Sequence, residues 1–456
     1  MYLIYSFFLS LAAVLLTPYW LRQGLRHGKY FSNFKERLGL EFPSLDKLPA
    51  ERPGAIWIHA VSVGEALSGI TLARRLKQTY PDRPLIVSTT TLTGHALARE
   101  RMPFADAILY FPLDWAFCVR RALHAVKPSV VVILETEIWP NFLREMRRSK
   151  VPVLFVSGRI SDRSFARYQR FLGILGFWPR PFLRSVLGNA SGFLMQSERD
   201  AERIRALGAP PERVQSSGNL KYDMEAPTPT PISNWLAAEV RRSGRSPVIV
   251  AGSVVATEEP LALIAFGTLQ GEHRKALLVL APRKPECFDA AAEYISESHR
   301  KFIRRSELPI PSPSNNGVSH GDVTISEDVS VLLLDSIGEL ASLYAVADGA
   351  FVGGSLVPSG GHNILEPAAF GKVPVFGPSM ENFAEIAQRF VAAGAAVQVE
   401  SPEDAGGAWI EFLRDPGRAA RMGQAARALV ETSRGATDRA IAEISRYIRD
   451  EARENG

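Results

Sequence analysis

The chain has 456 residues, 46% hydrophobic and 22% charged. At about 150 residues per domain this length predicts two or three domains, and the composition excludes a disordered, collagen-like or disulfide-stapled chain. A net charge of +5 favours phosphate-bearing or membrane-surface partners but is too small to argue for nucleic acid. The two cysteines, Cys118 and Cys287, form neither a CxxC pair nor a zinc spacing, which fits a reducing compartment.

Tyr2 to Leu21 carries no charge. About 20 apolar residues in a helix match a hydrocarbon core of about 30 Å. Tyr2, Tyr5, Tyr19 and Trp20 sit near the two ends, where interfacial aromatics belong, and Arg22, Arg26, Lys29, Lys35 and Arg37 follow at once. A cleavable signal peptide has its charges before the apolar run and small residues after it, the reverse of this order. The expectation is therefore an N-terminal transmembrane helix over residues 1–25, with the long C-terminal part kept in the cytoplasm by the positive-inside rule. The alternative is a buried hydrophobic helix. Pro18 is expected in the last turn, where a kink is tolerable.

From Ala55 onward, short apolar runs alternate with helical stretches. AIWIHA (55–60), LIVSTTT (85–91), AILYF (107–111), VVVILE (130–135), VPVLFVSG (151–158) and GFLMQS (192–197) read as strands buried on both faces. APTPTPI (226–232), with proline at every second position, predicts an extended linker. The alternation restarts with PVIVAGS (247–253), ALLVLAP (276–282), VLLLDS (331–336), GAFVGGS (349–355) and VPVFG (373–377). PIPSPSNNGVSHGDV (309–323) is expected to be a surface loop. The pattern predicts two doubly wound parallel α/β domains, 26–225 and 233–456, with the last helix free to cross back to the first.

Several chemistries lack their motifs. There is no GxGxxG, no GxxxxGK[ST], no GxSxG and no HExxH, which counts against dinucleotide oxidoreductases, P-loop ATPases, serine hydrolases and zinc proteases. No DxD pair is present to hold a divalent ion under a diphosphate, so metal-independent chemistry is expected.

Ligands of open α/β sheets bind beyond the carboxyl ends of the strands, which directs attention to the residues just past each apolar run. HAVSVGEAL (59–67) places Glu65 where a loop turns into a helix. It is either a first-turn acid favoured by the helix dipole or a carboxylate able to take a proton from an attacking hydroxyl. LETEIWPN (134–141) ends an apolar run with Glu135 and Glu137, costly there without partners. GNLKYD (218–223) offers Lys221, either solvated or holding a negative charge. LAPRKPE (280–286) puts Arg283, a rigid fork of donors suited to phosphate or carboxylate, just past a strand. DSIGEL (335–340) and GGSLVPSGGHNILEPAAFG (353–371) supply glycines that let backbone approach a ligand, a helix N-terminus able to bind an anion, and Glu366, placed to bond ribose hydroxyls.

Taken in order behind an apolar N-terminus, HAVSVGEAL, LETEIWPN, SGRIS, GNLKYD, LAPRKPE, DSIGEL and GGSLVPSGGHNILEP resemble the 3-deoxy-D-manno-octulosonic acid (Kdo) transferases over nearly the whole chain. The resemblance implies a GT-B fold, two Rossmann-like halves around a deep cleft, with an acceptor-binding N-terminal and a CMP-sugar-binding C-terminal domain. It implies transfer of Kdo from CMP-Kdo to lipid A precursor at the Gram-negative inner membrane, with membrane lipids as further partners, no nucleic acid and no cofactor. It assigns Glu65 as general base and Glu135 and Lys221 as transition-state stabilisers. Pro282, Arg283, Ile337, Gly338, Glu339, Asn363, Ile364, Leu365 and Glu366 would bind CMP. Ile337 stands where methionine is expected, and Glu137 competes with Glu135 for its role. The rival within the same fold is an enzyme using a UDP-sugar on a lipid acceptor; from another class, a tethered lipid-binding protein with a dead cleft.

The chemistry agrees with this assignment. A nucleoside monophosphate leaving group can be stabilised by basic side chains and helix N-termini without a metal. Attack by a hydroxyl from the face opposite CMP predicts inversion. Residues 159–184 carry six arginines against one aspartate, interleaved with Phe, Tyr and Trp, a composition able to lie at an anionic surface or to form an ordinary pair of amphipathic helices.

Overall fold

A computed structural model describes residues 1–27, 33–49, 51–174, 179–224, 227–311 and 324–454, the side chains of 18–27, 171–174, 179 and 449–454 excepted. Contacts divide the chain into two compact units, Met1–Met224 with Ser433–Gly456, and Glu225–Thr432. The last helix, Ala436–Glu454, thus belongs to the first unit, and the second is shorter than 233–456.

The first unit is built on seven parallel strands: β1 (Ala55–Ala60), β2 (Leu85–Thr89), β3 (Ala107–Tyr110), β4 (Pro128–Leu134), β5 (Val153–Gly158), β6 (Gly192–Met195) and β7 (Val214–Ser216). Their spatial order is β3-β2-β1-β4-β5-β6-β7. The Val/Ile/Leu runs of β1 and β4 are buried along their whole length and pair in parallel, Ile58 opposite Val132. Such runs are stable only when both faces are covered. One face lies under Ala66, Leu72 and Leu76 of the helix Val63–Thr79 and under Ala440 and Ile444 of the last helix. The other receives Val119, Phe142 and Met146, packed around Trp57 and Phe155. Strand order reverses between β1 and β4, so a switch point opens there and the loops after these two strands line it.

The second unit repeats the plan with β8 (Val248–Val254), β9 (Leu277–Pro282), β10 (Lys301–Arg304), β11 (Val329–Leu333), β12 (Gly349–Val352), β13 (Pro374–Phe376) and β14 (Val397–Gln398), all parallel. Their order is β10-β11-β9-β8-β12-β13-β14, with the reversal between β8 and β12. Phe266, Leu278, Phe351 and Trp409 form one core layer, and Leu236, Val250, Leu332 and Tyr344 the other. Strands β7, β10 and β14 go beyond the sequence expectation. All three are short sheet edges, where a continuous apolar run is neither needed nor safe.

Two expectations change at the unit boundary and the N-terminus. The proline run ends sooner than residue 232: Thr230 caps the helix Pro231–Ser243, and Pro231 takes its first turn, where a missing N–H costs nothing. The N-terminal helix runs from Tyr2 to His27, past Pro18, which is therefore not in its last turn. The expected span over residues 1–25 falls partly on side chains outside the described residues; among the described residues, no helix is long and apolar enough to cross a membrane. Residues 159–184 form the helices Asp162–Ile174 and Pro179–Leu187, with 175–178 outside the described residues, as are residues 312–323 of the predicted loop.

Candidate functional site

In the first unit, Glu65 occupies the third position of the helix that leaves β1. Ser62 caps this helix, its Oγ accepting the Glu65 N–H at 3.4 Å. The Glu65 carboxylate reaches back: Val61 N–H donates to Oε2 at 2.7 Å and Ser62 Oγ donates to Oε1 at 2.9 Å. This reciprocal capping fixes the side chain at the carboxyl edge of β1. Each oxygen keeps a second lone pair for a substrate proton. Glu65 is 7% exposed. Burial, reinforced by the negative charges of Glu135 and Glu137 and countered by the two hydrogen bonds, pushes its carboxyl up to about 7.

Glu135 follows β4 directly, across the switch point from Glu65. It has φ +56°, a left-handed conformation rare for a residue with a side chain. Such strain, at a cost of about 1–3 kcal/mol, clusters where a fold must aim a group. Its carboxylate lies 3.9 Å from Lys221 Nζ. Lys221 sits in the 3₁₀ turn Leu220–Asp223, and a chain of polar contacts holds that turn. Asn219 Oδ1 accepts the Lys221 N–H at 2.9 Å, Asn219 Nδ2 donates to Gln196 Oε1 at 2.9 Å, and Gln196 Nε2 donates to Ser157 O at 2.9 Å. Ser157, at the end of β5, also has positive φ, +57°. The structure thus brings Glu135 and Lys221 together and puts Glu65 within the field of Glu135. Glu137 stands in the same field, and burial and Glu135 raise its carboxyl as well.

In the second unit, Pro282 ends β9 and Arg283 is the next residue, its N–H bonded to Val254 O at 2.7 Å. The Arg283 charge acts on two groups past β12. Burial and, after it, this charge lower His362 to about 4, and the charge offsets the upward push of burial on Glu366. Asn363 Nδ2 donates to Glu366 Oε1 at 3.3 Å, and Asn363 Oδ1 accepts the Leu365 N–H at 3.1 Å. Ile364 and Leu365 themselves are buried and support the short helix Leu365–Ala369 from within. Arg283, Asn363 and Glu366 are thereby gathered at the carboxyl edge of the sheet.

The triplet Ile337, Gly338 and Glu339 divides by role. Ile337 is exposed and Gly338 has φ +94°. Glu339 is fully buried, and its carboxylate forms a two-pronged ion pair with Arg305, Nε to Oε2 and Nη2 to Oε1, both at 2.9 Å. The Glu339 side chain, one of the three residues expected to bind CMP, is therefore committed to Arg305.

Sequence reasoning missed Glu258. This buried carboxylate, just past β8, accepts backbone N–H groups from Gly354, Ser355 and Leu356 at 2.5, 3.0 and 2.9 Å, and from Val255 at 3.3 Å. It ties the loop after β8 to the glycine-rich loop after β12, on the two sides of the switch point. At Gly353 the glycine-rich loop meets the end of β8: a Cβ there would lie 2.5 Å from Ser253 O. The available signal was the acidic pair TEEP at a strand end. Arg305 and Gln196 gave no comparable signal, since each owes its role to a partner distant in sequence.

Residues 32–224 match the family described as "3-Deoxy-D-manno-octulosonic-acid transferase (kdotransferase)". The chain is 32% identical over 420 residues to the 3-deoxy-D-manno-octulosonic acid transferase of Haemophilus influenzae, covering 91% of this chain and 92% of that one. It is also 32% identical over 415 residues to that of Bordetella pertussis, covering 88% and 89%. Among solved structures, a putative UDP-N-acetylglucosamine 2-epimerase from Listeria monocytogenes superposes with a TM-score of 0.53 at 12% identity, over 88% of this chain and 98% of that one. That likeness concerns the fold alone, a GT-B-like pair of Rossmann-like domains. The chain belongs to the 3-deoxy-D-manno-octulosonic acid transferase family of glycosyltransferases.

Proposed function

We propose that the chain transfers Kdo from CMP-Kdo to a lipid A precursor, lipid IVA, with inversion and without a metal ion, on the cytoplasmic side of the inner membrane. Kdo transfer follows from family membership; the acceptor, the stereochemistry and the membrane site are our reading. The observation that carries it is Glu65, a buried carboxyl held in place by two hydrogen bonds and titrating near neutral pH. A base of that strength is half ionised at working pH and still strong enough to take a hydroxyl proton.

In this mechanism the Glu65 carboxylate removes the proton of an acceptor sugar hydroxyl as that oxygen bonds to the anomeric carbon of Kdo. The bond from this carbon to the phosphate oxygen breaks on the opposite face, and its electron pair leaves with CMP. Lys221, steadied by Asn219, offers a positive charge to the Kdo carboxylate or to the developing transition state, and Glu135 orients Lys221. Arg283 and the amides of the glycine-rich run take the phosphate, and Glu366 takes the ribose. The N-terminal helix and the arginine-rich segment 159–184 support attachment to the membrane where such an acceptor resides.

The test is incubation of the full chain with CMP-Kdo and detergent-dispersed lipid IVA in EDTA, followed by mass analysis of the lipid. Kdo addition with stoichiometric CMP release is expected. Turnover only with a UDP-sugar, or activity that EDTA abolishes and a divalent ion restores, would overturn it.

A further inference from the structure

The helix Tyr2–His27 has two faces of opposite chemistry. Toward the first unit it presents hydroxyls. Tyr5 Oη donates to Asp114 Oδ2 at 2.9 Å, while Ser6 Oγ and Ser10 Oγ accept from Asn141 Nδ2 and Trp115 Nε1, both at 3.0 Å. Tyr2 Oη accepts from Asn189 Nδ2 at 2.7 Å, and the Tyr2 ring lies under the Arg144 guanidinium at 4.8 Å and against Phe182 at 5.3 Å. Asp114 is a prepared socket: it is 3% exposed and also accepts the N–H groups of Asn141 and Phe142 at 3.1 and 2.7 Å. The spacing 2, 5, 6, 10 is one stripe of a helix. The outward stripe is apolar, with Leu3 83%, Phe7 64%, Val14 68% and Leu15 70% exposed. The helices receiving it carry exposed Arg121, Arg147, Arg180 and Arg184, and also exposed Arg120 and Arg148, which pair with the buried Glu145 carboxylate at 3.6 and 3.3 Å.

These contacts constrain how the helix meets a bilayer. At 1.5 Å per residue, a crossing helix followed by cytoplasmic basic residues would carry Tyr2–Ser10 about 20–30 Å from the cytoplasmic interface. Asp114, Asn141 and Asn189 belong to a folded α/β unit and cannot follow them into hydrocarbon. We propose that Tyr2 to Thr17 is docked on the first unit as an in-plane membrane helix, its hydroxyl stripe gripping the protein, its apolar stripe sunk into the acyl layer of one anionic leaflet, and the neighbouring arginines meeting the head groups. This rests on the membrane reading above and specifies how the surface is engaged: the helix lies along the leaflet instead of spanning it.

The test is a protease-cleavable tag placed ahead of Met1 of the full chain, with protease added to right-side-out and to inside-out inner-membrane vesicles. Cleavage in inside-out vesicles alone is expected. Cleavage in right-side-out vesicles alone would show a spanning helix and overturn the proposal while leaving membrane attachment standing. Absence of the chain from the membrane fraction would sink both. In parallel, Phe7→Glu with Leu15→Glu, both solvent-facing, should weaken binding of purified full chain to phosphatidylglycerol vesicles at least tenfold and leave CMP affinity unchanged; vesicle binding equal to that of the unaltered chain would refute the embedded stripe.

Discussion

Glu65→Gln separates the chemistry of the side chain from its structural work. Glutamine can occupy the same capping position, so the helix from Val63 should still form. Activity should fall about 10²–10⁴-fold, the usual value of a positioned general base. Stability should move the other way with pH. The Glu65 carboxyl titrates near 7 in the folded chain against an ordinary value of 4.5. Between those values the folded chain binds more protons at this site than the unfolded one, so the contribution is fully present below pH 4.5 and is lost as pH rises through 7. At 1.36 kcal/mol per pH unit the full loss is about 3 kcal/mol, of which about 2–3 kcal/mol falls between pH 5 and pH 8. The variant escapes this loss. Its stability relative to the parent, from urea unfolding monitored in the first unit, should rise by that amount from pH 5 to pH 8. A pH-independent difference would refute the raised titration, and near-parental turnover in a folded variant would refute the base.

Three further outcomes follow from the geometry. Lys221→Met should lower kcat about 100-fold or more in the Kdo-transfer assay, with an unfolding midpoint close to the parent, because it removes a charge and keeps the stem. Arg305→Met strands the buried Glu339 carboxylate and should cost about 3–5 kcal/mol in denaturant unfolding of the second unit, whereas adding Glu339→Leu should recover most of the loss. Glu258→Gln sets an amide against N–H donors that need an acceptor, so CMP affinity by calorimetry should fall tenfold or more while Glu65 titrates as before.

Interior strands were legible because burial on both faces leaves no room for polar residues: VVVIL in β4 and LLVLAP in β9 describe a sheet interior in composition alone. The carboxyl-edge rule then located Glu65, Glu135 and Arg283 without knowledge of their neighbours. What the sequence concealed was pairing over long separations. Nothing local marks Arg305 as the partner of Glu339, or Gln196 as a support for the turn that carries Lys221, since arginine and glutamine are ordinary surface residues until a fold buries them. The edge strand β10, KFIR, resembles a loop because solvent lies on one side. Pro231 reads as part of the linker because a helix-starting proline and an extended one look alike in a TPTP run.

The last helix has one more implication. Asp223 accepts the Gly435 N–H at 2.6 Å and also the Thr437 N–H, seizing the start of a helix that closes one face of the first sheet with Ala440 and Ile444. On the ribosome, the first half is synthesised more than two hundred residues before this cover emerges, so its apolar sheet face waits while the second unit, continuous in sequence, is free to fold. A nascent chain of this design completes its opening lobe last, and a protein released before residue 436 would carry the exposed surface that chaperones recognise.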